Sequence, residues 1–271
     1  MLKKIIASEK NKWAGQILDI RSTASLMESI RQQRLDFAVA YTRSQLIELG
    51  KTDKSVHFGA SLSMANIFTS LYIGGHLNLS SWENRDRLII SNGHAIAGLY
   101  PIFHLLGLIE EHELSTFKEG SSRLINHPSK MAGIPAIEAS AGSLGQGLGR
   151  GIGMALADKI DGKQRFTYIT FGDGEFQEGQ MHEAMELAPK LGLNNLIAII
   201  DKNRLQLSNP VQRNSSLDLA HLYEMAGWNV ICRLCNFFSV KLESIVFMLP
   251  ERTSFHRVEW VGLARENAEL E

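Results

Sequence analysis

Arg165-Phe-Thr-Tyr-Ile-Thr-Phe-Gly172-Asp-Gly-Glu-Phe-Gln-Glu-Gly-Gln-Met-His-Glu-Ala-Met-Glu-Leu-Ala-Pro-Lys-Leu-Gly-Leu-Asn-Asn-Leu-Ile-Ala-Ile-Ile-Asp-Lys-Asn203 is the stretch on which the fold turns. Its first residues, 165–171, alternate aromatic and β-branched side chains and predict a strand that Gly172-Asp-Gly174 ends. Residues 177–191 carry apolar positions at helical spacing, and Asn195-Leu-Ile-Ala-Ile-Ile200 is a short run of the kind that forms a strand buried on both faces. Strand, helix, strand over so short a span is a βαβ unit, with its two strands parallel and the crossover right-handed. The fold class expected is α/β, a parallel sheet with helices on both faces.

Outward from this unit the pattern continues. Residues 144–158 are small and apolar, suited to a helix lying close on a sheet, although five glycines weaken it intrinsically. Residues 87–91 read as a short buried strand, followed by a helix over 95–107. A long helix is expected over 22–49, with Ser22 and Thr23 as caps and Gly50 as its stop, and a second over 60–74. No repeat, low-complexity tract or flexible linker interrupts the chain, so one domain over residues 1–271 is expected.

Composition narrows the function classes. The 271 residues are 44% hydrophobic and 21% charged, ordinary for a globular protein, and the formal net charge is −1. Such a balance offers no basic field for nucleic acid or an anionic membrane. Apolar runs are too short for a membrane span, and the N-terminus lacks a signal-peptide pattern, so the cytoplasm is the expected compartment. The two cysteines, Cys232 and Cys235, lack the second pair that a structural zinc site needs. Their Cys-x-x-Cys spacing fits a redox motif only if they open a helix.

In an open parallel sheet, ligands bind beyond the carboxyl ends of the strands. Asp173 lies just past one strand and Asn203 just past the next, so both fall on the same rim. The flanking Gly172 and Gly174 permit a tight turn and close backbone approach. A carboxylate, an amide oxygen and a backbone carbonyl are hard donors suited to Mg²⁺, whose shell is completed by phosphate oxygens. Such a site would hold a metal–diphosphate without any excess of positive charge in the protein. A Gly-Asp-Gly turn alone is common; the buried strands on either side make the signal specific.

The run Gly172–Ala184 through Leu193–Asn203 resembles the thiamine-diphosphate motif in its transketolase form. Three other segments agree, in the family's order: His57-Phe-Gly-Ala-Ser-Leu-Ser, Asn84-Arg-Asp-Arg-Leu-Ile-Ile-Ser-Asn-Gly-His-Ala95, and His127-Pro through Gly142-Ser-Leu-Gly-Gln-Gly147. The likeness runs from about residue 22 to residue 231. It implies that Asp173, Asn203 and the Leu205 carbonyl hold Mg²⁺. It further implies that His94 and the Gly174 amide contact the diphosphate of thiamine diphosphate, and that Gly142 and Leu144 lie along its aminopyrimidine. His57 and His127 would be the catalytic pair, binding substrate hydroxyls and moving protons, work for which an imidazole near neutrality is suited. Glu178 and Glu183 would stand near a subunit interface, and an exposed apolar face on the helix starting at Gln177 would dock the partner. His104, His112, His182, His221 and His256 match no catalytic position. The glycines at 145, 147, 149 and 151 follow no convincing strand, which disfavours a dinucleotide-binding reading.

The family's remaining machinery, including the glutamate that activates the aminopyrimidine, belongs to a second domain. The expectation is therefore a split transketolase. This chain would be its N-terminal subunit, inactive without a C-terminal, pyrimidine-binding partner in a dimer or hetero-tetramer. It would transfer a two-carbon ketol unit between sugar phosphates. The likeness lapses over 232–252, making 232–271 an atypical tail that still has the apolar content for one strand or helix. Near Thr253 the pattern resumes, and Val261 stands where the family has a histidine. A degenerate, non-catalytic domain or half of another thiamine-dependent carboligase, such as a 1-deoxyxylulose-phosphate synthase-like enzyme, are the alternatives.

Overall fold

The computed structural model describes residues 28–52, 55–79, 83–206, 209–237 and 240–250. The caps expected at Ser22 and Thr23, Phe238, His256, and the stretch from Thr253 to Val261 lie outside the described residues. The described chain forms two compact units. One takes the residues up to Leu77 together with His94–Ser140, the other Asn78–Gly93 together with those from Ala141 onward.

The first unit is helical. Its elements are α1 (Glu28–Thr52), α2 (Phe58–Tyr72), α3 (Tyr100–Leu105) and α4 (Glu111–Ser115). Leu35, Ala38, Val39, Leu46 and Leu49 recur at helical spacing along α1 and are buried with Met64, Ala65, Phe68 and Leu71 of α2. Edge-to-face packing of Tyr72 on Phe103, with centroids 5.7 Å apart, joins α2 to α3. Gly50 does not stop α1, as the sequence led us to expect; the helix runs through it to Thr52. A Cβ on Gly50 would lie 1.6 Å from Cζ of Phe58, so the glycine makes room for a ring rather than a break. The helix expected over 95–107 is also divided. A 3₁₀ stretch, Gly93–Gly98, precedes α3, whose first turn holds Pro101, a residue pre-set to open a helix but without an N–H to continue one.

The second unit is the α/β part. Strands β1 (Arg87–Ile90), β2 (Thr167–Gly172) and β3 (Leu196–Asp201) are parallel, with Thr167 opposite Leu196 and Gly172 opposite Asp201. Helix α5 (Gln146–Ile160) leads into β2, and α6 (Gly179–Lys190) is the crossover from β2 to β3. On one face Ile89, Ile169, Phe171, Leu196, Ala198 and Ile200 share a core with Leu148, Ile152 and Ala155 of α5 and Met181, Met185 and Ala188 of α6. The short α7 (Leu219–Met225) adds Leu219 and Tyr223 to the same core. The opposite face of β2 and β3 is also buried, as Tyr168, Thr170, Ile197 and Ile199 show.

Two expectations change here. The sheet is mixed rather than wholly parallel, for its order is β1-β2-β3-β7-β6, and β6 (Trp228–Phe237) and β7 (Val240–Pro250) run antiparallel. Residues 238 and 239 alone separate these two runs, and only antiparallel strands can be joined over so short a distance. The backbones of Cys232 and Cys235 lie within β6, so this Cys-x-x-Cys does not open a helix. The outward side of α6 is not apolar either. Gln180, Glu183, Glu186 and Lys190 are exposed there with Leu187, because Met181, Ala184, Met185 and Ala188 all turn inward. No helix among the described residues is long and apolar enough to cross a membrane.

At the amino ends of the strands, Asp158 near the end of α5 is buried, its side chain 1% exposed. It accepts from Nε and Nη2 of Arg165, at 2.8 and 2.5 Å, and lies 3.4 Å from Nη1 of Arg87. Removing one partner of such a buried pair costs about 3–5 kcal/mol. Because the two arginines keep some exposure and can rehydrate, Asp158→Ala is expected to cost about 3 kcal/mol, near the lower end of that range. Chemical denaturation would measure it; a loss under about 1 kcal/mol would show the pair to be inert.

Candidate active site

The βαβ unit delivers Asp173 and Asn203 to one rim. Asp173 follows β2, its own amide donates to the Asp201 carbonyl at 3.2 Å, and the residue is 5% exposed. Each carboxylate oxygen accepts a backbone N–H: Oδ1 from Gly174 at 2.9 Å, Oδ2 from Arg204 at 2.8 Å. Arg204 adopts a left-handed conformation, φ 61°, and this turns the chain after Asn203 back over Asp173. Burial pushes the Asp173 carboxyl up from its ordinary value against the pull of those amides and of Lys202. A nearby cation would reverse that push.

The loop beyond Asn203 is closed by its own hydrogen bonds. Asn203 Oδ1 accepts from the Leu205 amide at 2.9 Å, and its Nδ2 donates to Asp201 at 3.3 Å. Leu205 opens a two-residue strand, β4 (Leu205–Gln206), paired with β5 (Asn209–Pro210). Leu205 stands opposite Pro210, and the ladder bond runs from the Val211 amide to the Arg204 carbonyl at 3.0 Å. That is the pattern of a non-hydrogen-bonded pair, so the Leu205 carbonyl is left out of the ladder. Gln206 exchanges side-chain hydrogen bonds with Gln177, at 3.0 and 3.3 Å, and accepts from Asn214 at 2.8 Å. Asp173, Gly174, Asn203 and Leu205 are thus brought together as hard oxygen donors and a turn amide, with Gly174 N–H already engaged by Asp173.

Gly142 and Leu144 precede α5 by a few residues; Gly142 is exposed, and a Cβ there would meet nothing within 4 Å. Just beyond them lies a buried network that the sequence did not single out. Glu175, 3% exposed, accepts at Oε1 from the Ser91 hydroxyl and from the Gly145 amide, the latter at 2.7 Å. Ser91 Oγ in turn accepts from the Gly147 amide at 2.9 Å. Burial raises the Glu175 pKa, opposed by these hydrogen bonds and reinforced by nearby Glu178. The acidic residues that the sequence singled out, Glu178 and Glu183, are both exposed. Glu175 is one of four acidic residues between Asp173 and Glu183, and nothing in the local sequence marks it as the one turned inward.

The histidines gather in the first unit. His57 occupies the residue before α2, and His94 falls in the 3₁₀ stretch after β1. The His57 ring lies 5.5 Å from that of His94 and 6.2 Å from that of His127, edge-on in both cases. The loop carrying His127 is held twice. The Tyr100 hydroxyl donates to the Ile125 carbonyl at 2.7 Å and accepts from the Ile125 amide at 3.1 Å. Arg123 grips Glu113 through Nε and Nη2, at 2.6 and 2.9 Å, which pulls the Glu113 carboxyl down to about 2. Two other histidines have structural partners: His104 Nδ1 meets the Ile109 carbonyl at 3.1 Å, and His182 packs on Phe176.

A family model described as transketolase, thiamine diphosphate binding domain, matches residues 36–241. The A subunit of apulose-4-phosphate transketolase of Phocaeicola vulgatus is 35% identical over 206 residues, 73% of this chain and 72% of that one. Transketolase of Mycoplasma genitalium is 35% identical over 195 residues, 67% of this chain but 30% of that enzyme. Among solved structures, transketolase from Leishmania mexicana superposes with a TM-score of 0.64 at 26% identity, covering 71% of this chain and 31% of that one. The chain thus spans under a third of these full-length enzymes and most of the separate subunit.

The histidine cluster makes a titration prediction. Burial, then the positive charges of His57 and His127, lower the His94 pKa, and burial with His57 lowers that of His127. Folded values below the unfolded one mean that the native chain binds fewer protons as pH falls through about 6.5, so these two residues cost stability on acidification there. Imidazole proton shifts in NMR should give midpoints below 6.5 for both. His57→Ala should move both upward; unmoved midpoints would mean that the rings do not sense one another.

Proposed function

We propose, on the premise that this chain belongs to the transketolase family through its thiamine-diphosphate-binding domain, that it is the N-terminal subunit of a split transketolase. Its reaction would be transfer of a two-carbon ketol unit between sugar phosphates, completed by a C-terminal, pyrimidine-binding partner chain in the cytoplasm. The observation that carries the reading is the Asp173 rim: a buried carboxylate pinned by two loop amides beside the Asn203 loop, at the carboxyl ends of adjacent parallel strands. The likeness to a relative that is itself one subunit of a transketolase, over most of that subunit's length, supports the split arrangement. The two compact units are read together as one cofactor-binding domain.

The residues fit the implied groups. Asp173 is a buried carboxylate short of positive charge, and the Leu205 carbonyl is not consumed by its ladder. With the second lone pair of Asn203 Oδ1 they form an oxygen set of the kind that Mg²⁺ takes, leaving places for diphosphate oxygens. His94 and the Gly174 turn would face the diphosphate, and Gly142 with Leu144 the aminopyrimidine. Bound thiamine diphosphate supplies a carbanion nucleophile and an electron sink, neither of which an amino-acid side chain provides.

The chain's own share of the chemistry is proton movement and orientation. Cleavage of a ketose requires a proton to leave a substrate hydroxyl, and a neutral imidazole at His57 or His127 can accept it at a ring nitrogen. The lowered pKa of His127 keeps that ring in its accepting form near neutral pH. Tyr100 and the Arg123–Glu113 pair hold the His127 loop still, which limits the reorganisation needed at each turnover. The hairpin of β6 and β7, at the place where the family likeness lapses, favours a second reading, a domain that keeps the fold without the activity.

Calorimetry with thiamine diphosphate and Mg²⁺, on the chain alone and with a cognate C-terminal chain, tests both. Binding should tighten with the partner, ketol transfer should appear only in the mixture, and Asp173→Ala should weaken binding more than about a hundredfold. Cofactor binding without ketol transfer in the mixture would favour the second reading. Absence of binding both alone and in the mixture, by a folded wild-type chain, would sink the first.

A further inference from the structure

We propose that Glu175 is a positioning residue that sets the spacing between two parts of the cofactor cradle, the turn at Gly172–Gly174 and the segment Gly142–Leu144. The assignment rests on the cofactor reading given above and adds a residue to it.

Glu175 stands one residue beyond the Gly-Asp-Gly turn, in the short 3₁₀ stretch Gly174–Gln177, and its side chain points away from solvent. Through Oε1 it takes the Gly145 amide at 2.7 Å and the Ser91 hydroxyl, while Ser91 takes the Gly147 amide at 2.9 Å. One carboxylate and one hydroxyl therefore satisfy two amides at the start of α5 that the helix cannot pair for itself. A helix start as rich in glycine as this one has little side-chain packing of its own, so an outside acceptor fixes where it sits. Ser91 brings in a third element, since it directly follows β1.

Steric facts support the same assignment. A Cβ on Gly147 would lie 2.2 Å from Cβ of Ser91, and one on Gly145 would lie 2.7 Å from Cβ of Glu178. Gly145 also has φ 81°, which an L side chain resists. Both glycines are thus needed for the backbone to come within hydrogen-bonding reach of Ser91 and Glu175. Oε2 of Glu175 is buried without a hydrogen bond of good geometry, while the Gly172 amide of the turn pulls on the same carboxyl. Leu144 and Gly142 follow wherever Gly145 is held, being one and three residues away. Glu175 thus relays the position of the turn, where the diphosphate would bind, to the segment along the aminopyrimidine.

The test compares two probes on the full chain by calorimetry at saturating Mg²⁺. Inorganic pyrophosphate needs only the turn, whereas thiamine diphosphate needs the turn and the Gly142–Leu144 segment. Glu175→Ala is expected to weaken thiamine diphosphate about tenfold and pyrophosphate less than about twofold. Glu175→Gln, which keeps an acceptor at the Oε1 position, should restore most of the difference. Ser91→Ala should shift the ratio in the same direction by less, and it carries the test should Glu175→Ala not fold. Equal losses for both probes, or no loss for either, would overturn the assignment and leave Glu175 a structural cap. A wild-type chain that binds neither probe, alone or with its cognate C-terminal chain, would remove the cofactor reading and this assignment with it; one that binds pyrophosphate alone even in that mixture would confine the failure to the aminopyrimidine segment, and so to this assignment.

Discussion

Two parallel strands cannot be joined by a short turn, so the helices lying across them fix how closely the sheet can be covered. In the second unit that distance is set by α5, and α5 comes as near as it does because two of its inward positions, Gly147 and Gly151, have no side chain. A Cβ on Gly151 would lie 2.3 Å from Cδ1 of Ile169, and one on Gly147 would fall on Ser91. The same glycines weaken the helix as a helix. Burial of Leu148, Ile152 and Ala155 against Ile89 and Ile169 offsets that loss. With α5 in place, the start of the helix meets the ends of β1 and β2, and the buried bonds among Ser91, Glu175 and the glycine amides can form. The carboxyl rim is laid out by this close approach.

In the function proposed above, the chemistry divides between two groups of residues with different physical tasks. The rim would hold charge. Its carboxylate is anchored by amides from two loops, so it is aimed before any cation arrives, and little ordering is left to be done on binding. The histidines would exchange protons, and at His94 and His127 burial together with the neighbouring rings lowers the pKa. Neither group requires a net positive surface, in agreement with a chain whose formal charge is −1.

What could be read from the sequence was local in character. Strand, turn, helix and strand across 165–203 declare themselves through short-range pattern, and Asp173 and Asn203 follow because strand ends in a βαβ unit share a side. The mutual approach of His57, His94 and His127 was carried by likeness to a family and could not have come from spacing alone. Two of the misses share a cause: a residue's meaning was set by something outside its own element. Gly50 is ordinarily a helix stop, but the Phe58 ring decides its use. Glu175 looks like one acid among several until Ser91, 84 positions away in the chain, is found beside it. The hairpin at 228–250 followed from two apolar runs and a very short link, and was missed because the family pattern led elsewhere.

The ion pairs of Asp158 and the carboxylate of Asp173 lie at opposite ends of β2, roughly 20 Å apart for a strand of this length. What holds the chain folded and what would hold the cofactor are therefore drawn from different residues. A lineage carrying this fold can lose or exchange groups at the rim one at a time while remaining a folded, inheritable protein. Conversely, substitutions that toughen the amino end add tolerance for costly experiments at the other.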